Sequence, residues 1–295
     1  MSGKSKYEVN ENFFESVNSE QVAYVLGFLY ADGCNQFSSA SSTKTLSITQ
    51  AEQDLDILEK IRLAMKSTHP FRRIEAIDEN HMVKYKFAIS YTKLSDDAYK
   101  LGVVYNKSLV LKFPTFEIVP EEYMRHFIRG YFDGDGCIWE GKPKIMTFID
   151  KKTGKEKQRF VHNMKFNFTG SNDFINGLQE YLIQTLGYRK TKLNVRKGRK
   201  NADKWCTMEY SGKKQIEKLF HYMYDNATIY GNRKYNKFVK IISADSKKLL
   251  SETWLNAGTS EMIISSKPSN KKECSSTISE MGVESSDSKC QALNA

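Results

Sequence analysis

The chain contains no apolar run of the ~18 residues that a transmembrane helix requires, which excludes a helical membrane protein. Cysteine is scarce and scattered: Cys34, Cys137, Cys206, Cys274 and Cys290 are odd in number and form no C-x-x-C pair. That excludes a disulfide framework and a paired-thiolate zinc site, and fits an intracellular, reducing location. The first residues, "MSGKSKYEVNENFFES", lack an apolar signal core and carry Glu8, Glu11 and Glu15. Neither a secretory signal nor a transit peptide reads like this, and no compartment is specified. There is no G-x-x-x-x-G-K-[ST], H-E-x-x-H or G-x-S-x-G, so nucleotide hydrolases, zincins and α/β-hydrolases are not indicated.

Positive charge is plentiful, with a formal net charge of +10 over 295 residues. Residues 244–295 hold 6 Lys against 7 Asp and Glu, a net of −1, so residues 1–243 carry +11, the difference between +10 and −1. A surplus of that size on the folded body favours a polyanionic partner. The segment 244–295 is Ser-rich, with few large apolar residues, and reads as a disordered tail.

The body repeats itself. In the first half (1–111) "NSEQVAYVLGFLYADG" has helical spacing behind an Asn18 or Ser19 cap, and "TKTLSITQ" alternates as a strand. "DLDILEKIRLAM" is an amphipathic helix, "FRRIEAI" and "VKYKFAISY" are strands, and "LSDDAYKLGV" returns to helix. The stretch 112–120, with two prolines, suits a linker. The second half (121–243) follows the same αββαββα order: helix "EEYMRHFIRGYFDGDG", strands "CIWEGKPKIMTFI" and "RFVHNMKFNFTG", and helix "NDFINGLQEYLIQTLG" with Gly187 as its C-cap. Strands "YRKTKLNVRKG" and "KWCTMEY" and the helix "KQIEKLFHYMYDNA" complete it. The fold class is therefore α+β.

The strands carry a two-sided code. Phe160, His162, Met164, Phe166 and Phe168 alternate with Arg159, Asn163, Lys165 and Asn167, and Lys192, Asn194 and Arg196 alternate with Leu193 and Val195. Such strands pack helices on one side and offer basic and amide side chains to phosphates and base edges on the other. Lys44, Gln50, Lys84 and Lys86 are the corresponding candidates in the first half.

Each half opens with an apolar helix that ends on Asp-Gly-Cys, in "VLGFLYADG" (25–33) and "IRGYFDGDG" (128–136). A carboxylate in the last turn of a helix faces the negative end of its dipole, so Asp32 and Asp135 call for a positive partner. Gly27 and Gly130 cost each helix roughly 1 kcal/mol relative to Ala, which close helix–helix contact explains. Arg129 is large for such a contact and is expected to point outward. Cys34 and Cys137 are expected to be small buried residues opening strands.

The two stretches resemble the paired motifs of single-chain LAGLIDADG homing endonucleases, over about residues 10–242. The resemblance implies a pseudo-twofold saddle in which the motif helices pack side by side and the sheets lie in the DNA major groove. It implies that Asp32 and Asp135 hold Mg²⁺, or Mn²⁺, and support one cut on each DNA strand. It further implies a catalytic lysine at Lys93 and Lys213 and a polar active-site residue at Gln53, loosely matched by Asp173. "NKS" (Asn106 to Ser108) and "GNRKYNKF", with Arg233 and Lys234, resemble the basic ends of the repeats. The motif's sixth position departs from symmetry, being Tyr30 in one half and Asp133 in the other.

The function this predicts is a monomeric, site-specific double-strand DNA endonuclease of the intron-homing kind, with a long, partly asymmetric target. Two alternatives keep the fold: an intron RNA maturase, and a DNA-binding protein that does not cut. Both aspartates being present favours cleavage.

Overall fold

The computed structural model describes residues 6–39, 42–79, 81–107, 110–195 and 204–257. Ser108, Arg196 and the segment from 258 onward, all of them named above, lie outside the described residues.

Helix α1 (Glu20–Asp32) starts where the Ser19 hydroxyl accepts from the Val22 amide, which satisfies one of the donors a helix start leaves unpaired. Strands β1 (Gly33–Ser38) and β2 (Thr43–Ala51) follow, then a 3-10 turn (Glu52–Asp54) leading into α2 (Leu55–Ala64). Strands β3 (Phe71–Ile74) and β4 (Lys84–Ile89) and helix α3 (Thr92–Lys100) close the first repeat. The four strands form one antiparallel sheet in the order β1-β2-β4-β3.

The second repeat opens with α4 (Glu121–Asp135), whose first turn follows Pro120 and carries Glu121 and Glu122 at its positive end. Strands β5 (Gly136–Glu140), β6 (Lys144–Ile149), β7 (Glu156–Val161) and β8 (Met164–Ser171) precede α5 (Asn172–Leu186). Gly187 ends α5 in the left-handed region at φ 59°, where glycine carries no Cβ penalty. Strands β9 (Asn194–Val195) and β10 (Trp205–Ser211) and helices α6 (Lys213–Tyr224) and α7 (Asn232–Ser243) complete it. Its sheet runs β5-β8-β10-β9, which repeats the order of the first sheet.

Two differences from the sequence reading concern the strands. "CIWEGKPKIMTFI" is broken at Gly141–Pro143 into β5 and β6, and "RFVHNMKFNFTG" is broken at His162–Asn163 into β7 and β8. Among the described residues, strands β6 and β7 pair only with each other, as a separate hairpin, while β5 pairs directly with β8. Alternation of side chains survives such a break, so periodicity could not locate it. The third difference is α8 (Ser246–Ala257), a helix beside β6 in a stretch read as structureless tail.

Helices α1 and α4 pack along their lengths at the centre. A Cβ on Gly27 would fall under 3.0 Å from the Phe127 carbonyl oxygen, and one on Gly130 under 3.0 Å from that of Tyr24. Gly134 repeats this against the Ala31 methyl. The crossing is thus reciprocal, and only glycine lets the backbones meet so closely. Among the described residues no helix is long and apolar enough to cross a membrane.

Candidate active site and nucleic-acid interface

The close crossing brings both helix ends to one place. Asp32 and Asp135 are the last residues of α1 and α4, and both are half-buried. Their charges overlap in reach. The buried Tyr131 hydroxyl, which donates to the Thr169 carbonyl at 2.9 Å, is held well above its ordinary pKa by burial first and then by Asp135 and Asp32 together.

The positive charge that a helix end calls for is supplied partly by the chain itself. The buried Lys234 amine donates to the carbonyls of Phe132, Asp133 and Gly134 at 2.8–2.9 Å, which satisfies the C-terminal oxygens of α4. Lys107, also buried, donates to the Ala31 carbonyl of α1 at 2.9 Å. Burial pulls the Lys234 pKa down, against the charges of Asp133, Asp32 and Asp135. In the sequence Lys107 is one residue of a basic segment, and no local pattern distinguishes it from a surface lysine.

Lys93 pairs with Asp97 within α3 at 2.7 Å, and Lys213 donates to the Ala244 carbonyl at 2.9 Å. The amide that reaches Asp32 is that of Gln50, whose Nε2 donates to Oδ2 at 2.6 Å. Gln53, expected in that role, is exposed in the 3-10 turn, and Asp173, loosely matched to it in the second repeat, is exposed in the first turn of α5. Gln50 lies in register with Leu46 and Ile48, on the helix-covered side of β2. Lys44 shares that side and pairs with Asp96 at 2.5 Å.

Asp133 and Arg129 form a buried polar layer behind the site. Asp133 accepts from the Tyr24 hydroxyl at 2.8 Å, the Gly231 amide at 2.7 Å and the Tyr224 hydroxyl at 3.3 Å. Its opposite number Tyr30 donates instead to the Leu101 carbonyl at 2.6 Å. Arg129 does not point outward: it is fully buried, donating to Glu20 at 2.5 Å and to the carbonyls of Met223 and Ile229 at 2.6 and 2.9 Å. It turns away from the glycine crossing, and the half-buried Glu20 carboxylate and the two carbonyls replace the water it would otherwise need.

The uncovered faces of the two sheets carry the remaining candidates. In the first, Lys84 and Lys86 lie opposite the buried Phe87 and Ile89 side, and Lys86 stands directly across from Arg72. Burial, then the neighbouring Arg72 charge, lowers the Lys86 pKa. In the second, Lys165, Asn167 and Asn194 face away from the buried Phe166 and Phe168, with Lys165 bridged to Glu209 at 2.8 Å. Asn163 sits in the break before β8, Lys192 is exposed, and Arg159 belongs to the separate hairpin, with its guanidinium over the Phe148 ring. Cys137 is exposed on this second face, not buried, because it pairs across from Asn167.

Among the described residues no cluster of three or more His, Cys, Asp or Glu exists. Two carboxylates on adjoining helix ends, with no thiolate or imidazole, form a hard oxygen donor set that suits Mg²⁺ or Mn²⁺ completed by water and phosphate oxygens.

No protein-family model and no curated protein matches the chain. Solved structures of LAGLIDADG homing endonucleases do. I-LtrWI bound to target DNA is 13% identical with a TM-score of 0.48, covering 83% of this chain and 96% of that one. I-SmaMI bound to uncleaved DNA target in the presence of calcium ions is 15% identical with a TM-score of 0.47, covering 82% and 98%. I-CpaMI bound to uncleaved DNA is 14% identical with a TM-score of 0.45, covering 81% and 96%.

Proposed function

We propose that this chain is a site-specific, metal-dependent DNA endonuclease, acting as a monomer on a long and partly asymmetric double-stranded target. The observation that carries the reading is the reciprocal crossing of α1 and α4, which delivers Asp32 and Asp135 to one place between two sheets with basic, amide-rich uncovered faces. Such faces fit the major groove, where lysine, arginine and asparagine grip phosphates and read base edges.

Asp32 and Asp135 would hold the divalent ion, which supplies an activated water and stabilises the leaving oxygen in phosphodiester hydrolysis. The chain's own work is placement. Gln50 fixes the Asp32 carboxylate, and the Lys107 and Lys234 amines neutralise the helix ends on which the aspartates sit. Two sites on one chain suit one cut in each strand.

The test is digestion of a plasmid library by the purified chain, with and without Mg²⁺. Asp32→Asn and Asp135→Asn should each abolish double-strand cutting while leaving DNA affinity nearly unchanged, because affinity comes from phosphate and base contacts. Normal cutting by either variant would sink the assignment. Tight binding of DNA with no cutting under any metal would support a binding protein, and preference for a structured intron RNA would support a maturase.

A further inference from the structure

A short segment of the second repeat, residues 228–234, lies against the first repeat. The Glu20 carboxylate at the start of α1 accepts from the Thr228 amide at 2.7 Å and from its hydroxyl at 2.9 Å. The Asp56 carboxylate of α2 accepts from the Asn232 amide at 3.0 Å, and the Lys60 amine donates to the Tyr230 carbonyl and the Asn232 side-chain oxygen, both at 2.7 Å. Gly231 passes so close that a Cβ there would meet the Ile57 Cδ1 atom at 2.7 Å. Arg233 completes the contact. Its Nε and Nη2 atoms donate to the two oxygens of Asp54 at 2.7 and 2.9 Å, the two-pronged geometry in which arginine holds a carboxylate most firmly. The Asp54 side chain is buried and that of Arg233 is half-exposed.

The same segment is tied to the end of α4. The Gly231 amide donates to Asp133 at 2.7 Å, and Lys234, next to Arg233, holds the carbonyls of Phe132, Asp133 and Gly134 just before Asp135. Asp54 lies at the corner between β2 and α2, and β2 is paired with β1, which begins at Gly33 immediately after Asp32. Arg233 and Lys234 therefore join the end of one motif helix to the sheet that continues the other. The glycine crossing packs α1 on α4, but it does not by itself stop one repeat from rocking on the other, because packed helices slide by small shifts. A tie outside the helix pair does.

We infer that Arg233 is a positioning residue that also sets specificity: its pair with Asp54 fixes the angle between the two repeats, and so the spacing of the two half-sites that one duplex must present. The inference rests on the endonuclease reading and deepens it. One extra base pair between half-sites moves them apart by about 3.4 Å and turns them by about 35°. Two braced sheets cannot follow that change, whereas two sheets free to rock follow part of it.

The experiment uses a duplex selected by binding of the full chain to a randomised library, with versions lengthened and shortened by one central base pair. Affinity for all three is measured in Ca²⁺, and single-turnover cutting of the selected duplex in Mg²⁺, both per folded protein. The wild type should prefer the selected spacing. Arg233→Met and Asp54→Ala should each lose that preference, and should cut the selected duplex up to about 100-fold more slowly on both strands. The double variant should be no worse than either single one, because each breaks the same pair. Asp54→Ala removes no helix cap, since the Asp54 side chain makes no cap hydrogen bond, and it leaves Arg233 to water. It carries the test if Arg233→Met, which strands a buried carboxylate, fails to fold. A pair that only stabilised the fold would leave the spacing preference of the folded variants intact, and that result overturns the inference. So does a wild-type chain indifferent to spacing, or an Asp54→Ala variant that binds more tightly with its preference unchanged, which would make Arg233 a phosphate contact. If the wild-type chain cuts no library member with Mg²⁺ or Mn²⁺, the endonuclease reading fails, and the affinities in Ca²⁺ still decide the inference.

Discussion

Gly27 and Gly130 stand in reciprocal positions on α1 and α4, each facing the backbone carbonyl of the other helix. Neither carbonyl can retreat without shifting the helix that carries it. Gly27→Ala and Gly130→Ala gain helix propensity of roughly 1 kcal/mol in isolation, yet each inserts a methyl group into a backbone contact. We expect a net loss of about 2–3 kcal/mol for each, in the range of overpacked cores, with the helix ends displaced. Urea unfolding measures the first effect and strand-resolved cleavage the second. A fully active variant of unchanged stability would mean that the crossing is looser than its geometry implies.

The lysines separate two readings of the same chemistry. Lys107→Met and Lys234→Met remove buried amines from the C-terminal carbonyls of the motif helices, and each should lower both stability and cleavage. Lost hydrogen bonds from a charged donor are worth about 1.5–3 kcal/mol each at the upper end. Lys93→Met breaks a half-exposed pair with Asp97, and Lys213→Met a link to the Ala244 carbonyl and a 4.0 Å pair with Glu217, so both should cut DNA within about twofold of the wild type. If Lys93→Met or Lys213→Met abolished cleavage while Lys107→Met and Lys234→Met spared it, the assignment would reverse.

These lysines mark where sequence legibility ends. The aspartates and glycines stand out because their motif is local and repeated, and a contiguous pattern needs no knowledge of the fold. The strand faces around Phe166 and Phe168 are legible for the same reason. Which glutamine reaches Asp32 depends on register: Gln50 continues the Leu46 and Ile48 side of β2, while Gln53 has already entered the 3-10 turn. Arg129 looked like a surface residue because its partners, Glu20, Met223 and Ile229, lie far away in the sequence. The β6–β7 hairpin was hidden because alternation shows which residues share a face but not which strand lies alongside.

The buried layer around Arg129 predicts a pH dependence. His126 accepts from Arg129 at 2.9 Å and is pushed down to about 4 by burial first and then by Arg129, against the pull of Glu20. Its folded pKa therefore lies below its ordinary 6.5, so the unfolded chain binds the proton first. Stability should fall as pH drops from about 6.5 towards 4, by at most about 1.4 kcal/mol per pH unit from this group. Glu20 has the depressed carboxylate's sign: burial raises its pKa, but hydrogen bonds from Thr228 and the Arg129 charge outweigh it. Its contribution is present above its ordinary value and is lost at more acid pH, below the histidine window. Denaturant midpoints at pH 7.5 and 5 should converge in His126→Gln, whose side-chain oxygen can still accept from Arg129. An unchanged pH slope in that variant would place the titrating group elsewhere.

Arg72 and Lys86 face each other across β3 and β4 on the uncovered side of the first sheet, where like charges directly opposite destabilise the pair. The free protein gains nothing from this arrangement, and burial together with Arg72 lowers the Lys86 pKa. A polyanion reverses the balance by neutralising both groups and releasing its own counterions. Lys86→Gln should therefore leave the free protein equally or slightly more stable, by up to about 0.5 kcal/mol, while weakening DNA binding. The plot of log affinity against log salt should lose about 0.9 of its slope for each phosphate contact removed. Lys44→Gln is the internal control, since Lys44 lies on the helix-covered side with Asp96 and should not change that slope. Thermal unfolding of the free chain and binding titrations at two or more salt concentrations give both quantities. A loss of stability without a change in salt slope would make Lys86 a structural residue of the sheet, and an equal slope change for both variants would remove the distinction between its two faces.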